Sequence, residues 1–373
     1  MKKVLLTATV QSHICQFHKP LVEVLHQNGY EVHVAARDNL AEKNGLALDF
    51  VEKVYNVPFS RSPKSIDNIK AYKQLKKIID DGGYEVVHCN TPMGGIVTRL
   101  AAKKARKGGT KVFYTAHGFH FYNGASKKNW LVFYPIERFF ARYTDKLITI
   151  VNEDYELALS KFKCPVYHIH GVGVNPERFH PVDDREKLAL RENLNLSSDD
   201  FAILCTGELN KNKNQAQLIE AAYLLKDKLP NLKILLAGNG PNEEILRELI
   251  SYRGLESVVK LLGYRTDLEK LVPAVDLIVS VSHREGMPLN IIEAMLCKKP
   301  IIATANRGHK ELVTDNKNGF IIPVGDAHIL SEKIYALSED EKLRQDFSEN
   351  AYKMSESYQA SNVKNQLRDI YLS

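Results

Sequence analysis

A chain of 373 residues, 44% hydrophobic and 26% charged, is too long for one ordinary core and points to two domains of roughly 100 to 200 residues each. That mixture excludes intrinsic disorder and low-complexity architecture, and no apolar run nears the roughly 20 residues that span a bilayer. The net charge of +6 is uneven, because residues 1–175 carry 25 Lys and Arg against 15 Asp and Glu, a net +10, while the remainder nets −4.

The N-terminal MKKVLLTATV leads directly into a strand pattern without a signal-type cleavage site, so the chain is expected in the cytoplasm. Short β-branched runs at Val4–Thr9, Glu31–Ala36, Val86–Cys89, Val112–Ala116 and Leu147–Val151 read as strands. Between them, apolar residues recur at three and four in Phe17–Asn28, Asp67–Asp80, Gly95–Lys107 and Asn129–Tyr143, the spacing of helices. The Gly- and Pro-rich GVGVNPERFHP, Gly171–Pro181, then acts as a link. Beyond it the alternation restarts, with strands at Phe201–Thr206, Leu232–Ala237, Val258–Leu262, Leu277–Val281, Ile301–Thr304 and Phe320–Ile322. Strand alternating with helix implies parallel sheets covered on both faces. The expectation is therefore an α/β chain of two Rossmann-like parallel-sheet domains, residues 1–175 and 176–354, facing a central cleft, with a helix from about 355 to 373 packing back across it.

Cys15, Cys89, Cys164, Cys205 and Cys297 are odd in number and far apart, without C-x-x-C or His partners at metal-ligand spacing. They read as reduced core thiols.

The densest chemistry lies in Ser282–Met295, SHREGMPLNIIEAM, where a strand ends in a polar turn and a helix begins near Pro288. Proline suits a first helical turn, and the N–H groups that follow, unpaired within the helix, suit a phosphate. Glu285 and Glu293 lie eight residues apart, about two helical turns along the axis. One carboxylate can then meet a sugar and the other a ribose.

Glu285-x7-Glu293 followed by AMLCKKPIIAT resembles the retaining glycosyltransferases of family 4, which have the GT-B fold, and the resemblance covers nearly the whole chain. It implies that Glu285 contacts donor-sugar hydroxyls, that Glu293 holds the nucleotide ribose, and that Gly286, Met287, Pro288 and Leu289 frame the donor. In the segment TGELNKNKNQ after the first strand of the second half, Gly207 begins the donor loop and Lys213 stands where the family places a diphosphate-binding Lys. A cation there opposes the charge that develops on the departing diphosphate. Glu208 occupies the family's Arg position, and Arg307, in NRGHKELV, replaces a family Gly. Arg307 is expected either to supply the missing cation or to pair with Glu208. Tyr264 and Arg265 fall in the loop that frames the base, for which uracil is expected.

In the first half, His117 of YTAHGFHF matches a family His that approaches the donor sugar, and His can donate or accept at neutral pH. His13, His18, Asn90 and His120 are candidates on the acceptor side, and His88 also ends a strand there. The resemblance implies retention without a protein nucleophile, the acceptor hydroxyl attacking on the leaving group's face and the departing phosphate helping to take its proton. No Asp-x-Asp motif is present, so a metal-free reaction on a UDP-sugar, with no cofactor, is expected. The phrases SHI-x-x-FH-x-P, TPMGG, AHGFHF and GELN-x-NKNQ are similar to the exopolysaccharide and capsule branch, which implies a glycan or polyprenyl-diphosphate-linked acceptor.

The basic first half favours an anionic partner. Lys70, Lys73, Lys76, Lys77, Arg99, Lys103, Lys104, Arg106 and Lys107 fall on two helical segments, and with the aromatic stretch Trp130–Tyr143 they point to peripheral docking on the inner face of the plasma membrane. A nucleic-acid-binding protein is the alternative that this charge suggests, but no basic, aromatic-interleaved reading element accompanies it. A sugar-nucleotide epimerase on a similar fold is the rival within enzymes.

Overall fold

The computed structural model describes residues 2–42 and 45–373, organised as two compact units. Unit 1 comprises Met1–Gly173 and Ala360–Ser373, and unit 2 comprises Val174–Gln359.

Unit 1 is built on a seven-stranded parallel sheet: β1 (Lys2–Val10), β2 (Tyr30–Arg37), β3 (Lys53–Asn56), β4 (Val86–Asn90), β5 (Lys111–Ala116), β6 (Lys146–Thr149) and β7 (Val166–His168). Its order is β3-β2-β1-β4-β5-β6-β7. Unit 2 carries β8 (Phe201–Thr206), β9 (Leu232–Ala237), β10 (Val259–Gly263), β11 (Leu277–Ser280), β12 (Ile301–Thr304) and β13 (Gly319–Ile322), ordered β10-β9-β8-β11-β12-β13. Both sheets run outward from their first strand in two directions. The point where the order reverses, between β1 and β4 or between β8 and β11, leaves a crevice beyond the strand ends, where ligands bind in such sheets.

Side-chain alternation shows why these runs are strands. Phe201, Ile203 and Cys205 of β8 join one apolar cluster with Leu232, Ile234 and Leu236 of β9. Ala202, Leu204, Leu235 and Ala237, from the alternate positions, join the cluster on the other face. A strand wrapped on both sides must be apolar throughout, and each large side chain buried there contributes roughly 1.5–3 kcal/mol.

The structure departs from the sequence reading at several places. β3 and β7 are short edge strands of mixed polarity, KVYN and VYH, with no continuous apolar run to mark them. The helix expected over Phe17–Asn28 is two, Gln11–Phe17 and Lys19–Gln27, broken at His18 just before Pro20. That expected over Gly95–Lys107 is also two, Pro92–Ala101 and Lys103–Lys107. The C-terminal helix begins at Ala360 rather than near Ser355, because helix Glu341–Ser355 and the turn after it belong to unit 2. Val174 N–H donates to the Tyr358 carbonyl at 3.0 Å within that unit. Helix Ala360–Leu372 packs in unit 1, where His88 Nδ1 and Tyr371 Oη are 2.6 Å apart. Among the described residues no helix is long and apolar enough to cross a membrane.

Candidate functional site

In unit 2 the loops after β8 and β11, the two strands at the order reversal, are stitched together. His283 N–H donates to the Asn212 carbonyl at 2.7 Å, and Asn212 Nδ2 donates to the Arg284 carbonyl at 3.0 Å. Between them Lys213 Nζ meets Glu285 Oε1 at 2.7 Å, with both side chains largely buried. Asn210 Oδ1 accepts from the Lys213 N–H at 2.9 Å and fixes the turn that aims the lysine. Gly207 has φ +139°, a region side chains rarely adopt, and a Cβ there would stand 3.0 Å from Lys213 Cε. The glycine is what lets the lysine stem lie along the strand end.

The Glu285 turn is held from behind by β12 and the loop after it. Thr304 Oγ1 and Asn306 Nδ2 both donate to the Ser282 carbonyl, at 2.6 and 3.0 Å. Buried His309 bridges the strands: Nε2 is 3.0 Å from Ser280 Oγ and Nδ1 is 2.7 Å from the Thr304 carbonyl. Burial depresses its pKa to about 4, so it acts as a neutral strut. Gly308 lies so close to this turn that a Cβ would collide with the Gly286 carbonyl, which sets the start of helix Arg307–Leu312 against Glu285 and Gly286. Arg307 therefore opens a helix whose backbone touches the site. Exposed Glu208 instead accepts from Asn210 Nδ2 at 2.9 Å.

Helix Leu289–Leu296 starts one residue after the expected point, with Pro288 as its extended N-cap and Met287 and Leu289 packed against the core. Buried Asn290 Nδ2 lacks a partner at its first turn. Further along, Glu293 is raised to about 7 by burial, which Arg178 opposes and Glu269 reinforces. Arg178, from the link segment, donates to Glu269 Oε2 at 2.8 Å and to the Thr266 carbonyl at 2.8 Å. The loop after β10 is less convergent. Tyr264 is exposed, and Arg265 forms a two-pronged pair with Asp267 at 2.8 and 2.6 Å. Arg265 lines a cavity of about 260 Å³ with Leu190, Leu194 and Lys270, whose walls contain neither Lys213 nor Glu285.

In unit 1 three histidines gather at the order reversal. His13 Nε2 and His117 Nε2 are 3.2 Å apart, and His117 Nε2 is 3.3 Å from Asn90 Oδ1 at the end of β4. His18 stands edge-on to His117, with ring centroids 5.5 Å apart. Burial keeps all three neutral at pH 7, with His117 lowered to about 4 and His13 and His18 well below their ordinary value. His88 is turned to other work, its Nε2 lying 2.7 Å from Thr115 Oγ1 opposite the Tyr371 contact. His120 leaves the cluster and stacks on Phe133, with centroids 4.6 Å apart.

Two readings need correction. Arg99 is not a surface cation: it is 1% exposed, donates to Glu137 Oε2 at 3.0 Å and lies over Tyr114. Arg106 is committed to Asp145 at 2.7 Å. Lys70, Lys73, Lys77, Lys103, Lys104 and Lys107 remain exposed. Cys15 and Cys164 are half-buried rather than core, and all five cysteines are free.

Sequence reasoning passed over Thr304, Asn306, His309, Arg178 and Asn290. The first three act by holding a carbonyl, and nothing in one-dimensional spacing announces that. Arg178 lay within a segment that reads as a link.

Comparison with known proteins brings two family patterns onto this chain: "Glycosyl transferase 4-like" over residues 3–151 and "Glycosyl transferases group 1" over 186–354. The provisionally assigned glycosyltransferase EpsD of Bacillus subtilis (strain 168) is 42% identical over 372 residues, covering 99% of this chain and 96% of that one. The Escherichia coli UDP-Gal:alpha-D-GlcNAc-diphosphoundecaprenol alpha-1,3-galactosyltransferase is 29% identical over 82% of this chain and 80% of its own length. In fold, the chain is similar to Anabaena Alr3699/HepE, crystallised with UDP, at a TM-score of 0.79 and 22% identity over the whole of both chains.

Proposed function

Because the chain belongs to the glycosyltransferases of group 1 and the 4-like type, we propose that it moves a sugar, with retention, from a UDP-sugar to a polyprenyl-diphosphate-linked glycan in exopolysaccharide or capsule assembly. The observation that carries this reading is the Lys213–Glu285 pair, 2.7 Å apart at the strand-order reversal of unit 2. The two groups present a fixed cation for a diphosphate and a carboxylate for sugar hydroxyls side by side. Each holds the other in place before the donor arrives, so little reorganisation accompanies the reaction.

In this account the bond between the sugar's anomeric carbon and the UDP oxygen breaks as the acceptor oxygen bonds to the same face. The acceptor proton passes to the departing phosphate. Lys213, the first N–H groups of helix Leu289–Leu296 and Arg307 take the charge that a divalent metal would otherwise take, and Glu293 holds the ribose. Arg307 stands in for the cation absent at Glu208. In unit 1, His13, His18 and Asn90 face the acceptor. The lipid-linked acceptor is suggested by the Escherichia coli relative, whose name specifies one, and the uridine donor by that name together with the UDP of the Anabaena complex.

Docking at the inner face of the plasma membrane fits helix Lys127–Phe140. It exposes Leu131 at 77%, together with Val132 and Phe139, beside Lys127, Lys128 and Arg138. Apolar side chains among cations suit an anionic lipid surface.

The test is a panel of UDP-sugars incubated with and without a polyprenyl-diphosphate-linked saccharide, in EDTA, with UDP release and product anomer followed together. Acceptor-dependent release with a retained anomer is expected. Epimerisation without acceptor, or release indifferent to it, would overturn the reading.

A further inference from the structure

The histidine cluster of unit 1 has a geometry that hydroxyl recognition does not require. His13, His18 and His117 each bring a ring nitrogen within 4.8 Å of the other two. His13 Nε2 and His117 Nε2 are 3.2 Å apart. Nitrogens bound at about 2.0–2.1 Å to one tetrahedral ion stand about 3.3 Å apart. His18 Nε2 is buried and has no hydrogen-bond partner. Leaving a buried ring nitrogen unsatisfied is costly, so such an atom calls for an explanation.

We propose that His13, His18 and His117 form a binding site for one borderline divalent transition-metal ion of the zinc and cobalt class, with a fourth position left to water or an incoming oxygen. The fold builds the site from three short pieces. His13 sits in helix Gln11–Phe17, which starts directly at the end of β1, and His18 sits at the break before Lys19–Gln27, where its N–H donates to the Ile14 carbonyl at 3.0 Å. His117 follows β5 by one residue. β1 and β5 both flank β4, so the three rings converge over the β4 end, where Asn90 lies against His117. His88 lies close by, but both its nitrogens are engaged and it stays outside the ligand set.

The ligand chemistry selects the ion. Three imidazoles suit zinc, cobalt, nickel or copper, whereas magnesium and calcium require oxygen. Among the described residues no carboxylate belongs to the cluster, and Arg61 places a positive charge near His13. The fourth ligand is then best supplied by an anionic oxygen. This inference concerns unit 1 alone and stands apart from the metal-free handling of the donor diphosphate in unit 2.

The experiment titrates Co(II) into tag-free, chelator-stripped full-length protein and follows the visible d–d absorption, alongside thermal unfolding with Zn(II) and with Mg(II). The expected result is a four-coordinate Co(II) spectrum that saturates at one ion per chain and is bleached by Zn(II). Zn(II) raises the melting midpoint and Mg(II) leaves it unchanged. His18→Ala and His13→Ala each abolish the spectrum and the Zn(II) shift while keeping the wild-type circular-dichroism spectrum and a cooperative metal-free unfolding transition, which shows that the variants fold. No Co(II) spectrum in the wild type, an equal spectrum in both variants, or an equal shift with Mg(II) would each overturn the proposal.

Discussion

The two units share one strand order, first strand central and order reversing beside it, yet they furnish the reversal with opposite chemistry. In unit 2 the ends of β8 and β11 hold the ion pair Lys213–Glu285. In unit 1 the ends of β1, β4 and β5 hold Asn90 and the neutral rings of His13, His18 and His117. Unit 1 has its own buried ion pair, Arg99–Glu137 at 3.0 Å, but it lies beneath Tyr114 within the fold rather than at the strand ends. The same topology therefore places one ion pair at the strand ends of unit 2 and another inside the packing of unit 1. Which residues follow the strands decides what the crevice recognises.

The comparison can be broken by exchanging these roles. Removing the packing pair is the largest expected effect: Arg99→Met leaves Glu137 buried without its cation and should destabilise unit 1 by about 3–5 kcal/mol. Equilibrium unfolding would show this, and turnover per folded molecule should be unchanged. Lys213→Met should lower transfer roughly 100- to 1,000-fold per folded molecule, with a smaller loss of stability than Arg99→Met because its pair is less buried. If transfer in Lys213→Met stays near wild type, the pair is structural in both units. Arg307→Ala should weaken UDP binding, while Glu208→Ala, at an exposed side chain held by Asn210, should have a much milder effect.

Glu293 sharpens the comparison through pH. Its carboxyl is raised to about 7 by burial, so the ionised form, proposed above to accept the ribose hydroxyls, is scarce in acid. Affinity for a UDP-sugar should rise as pH climbs toward 7 and level off above it, and Glu293→Gln should flatten that profile. The sign for stability is opposite. The protonated side chain favours the fold below the ordinary carboxyl range, and that contribution is lost as pH rises through about 7. Glu293→Gln should therefore gain most in melting midpoint, relative to wild type, at pH 8. The smallest effect belongs to the surface of unit 1: Lys127→Ala and Lys128→Ala should each reduce partition onto anionic vesicles by about 1 kcal/mol, or roughly fivefold. Absence of vesicle binding in the wild type would remove the membrane from the account.

The sequence was most legible where physics is local. β8, β9 and β12 match their predicted bounds because strands covered on both faces must be continuous apolar runs. The edge strands Lys53–Asn56 and Val166–His168 have no such requirement and left no trace. Within the site, Lys213 and Glu285 carry charges that spacing and resemblance both mark. His309, Asn306 and Thr304 were invisible because their task is to hold the Ser282 turn and the ends of β11 and β12, a task defined by two strands meeting. Arg99 was misread because a helix pattern counts cations without showing that Glu137, 38 residues on, awaits one inside.

The most direct test is calorimetric titration of UDP, in EDTA, into the wild type, Lys213→Met and His13→Ala. The account predicts equal binding by the wild type and His13→Ala and a loss of at least an order of magnitude in Lys213→Met, since the lost contact is a charge-assisted one worth about 1.5–3 kcal/mol. Binding that survives in Lys213→Met and disappears in His13→Ala would place the donor in the wrong unit and contradict the account.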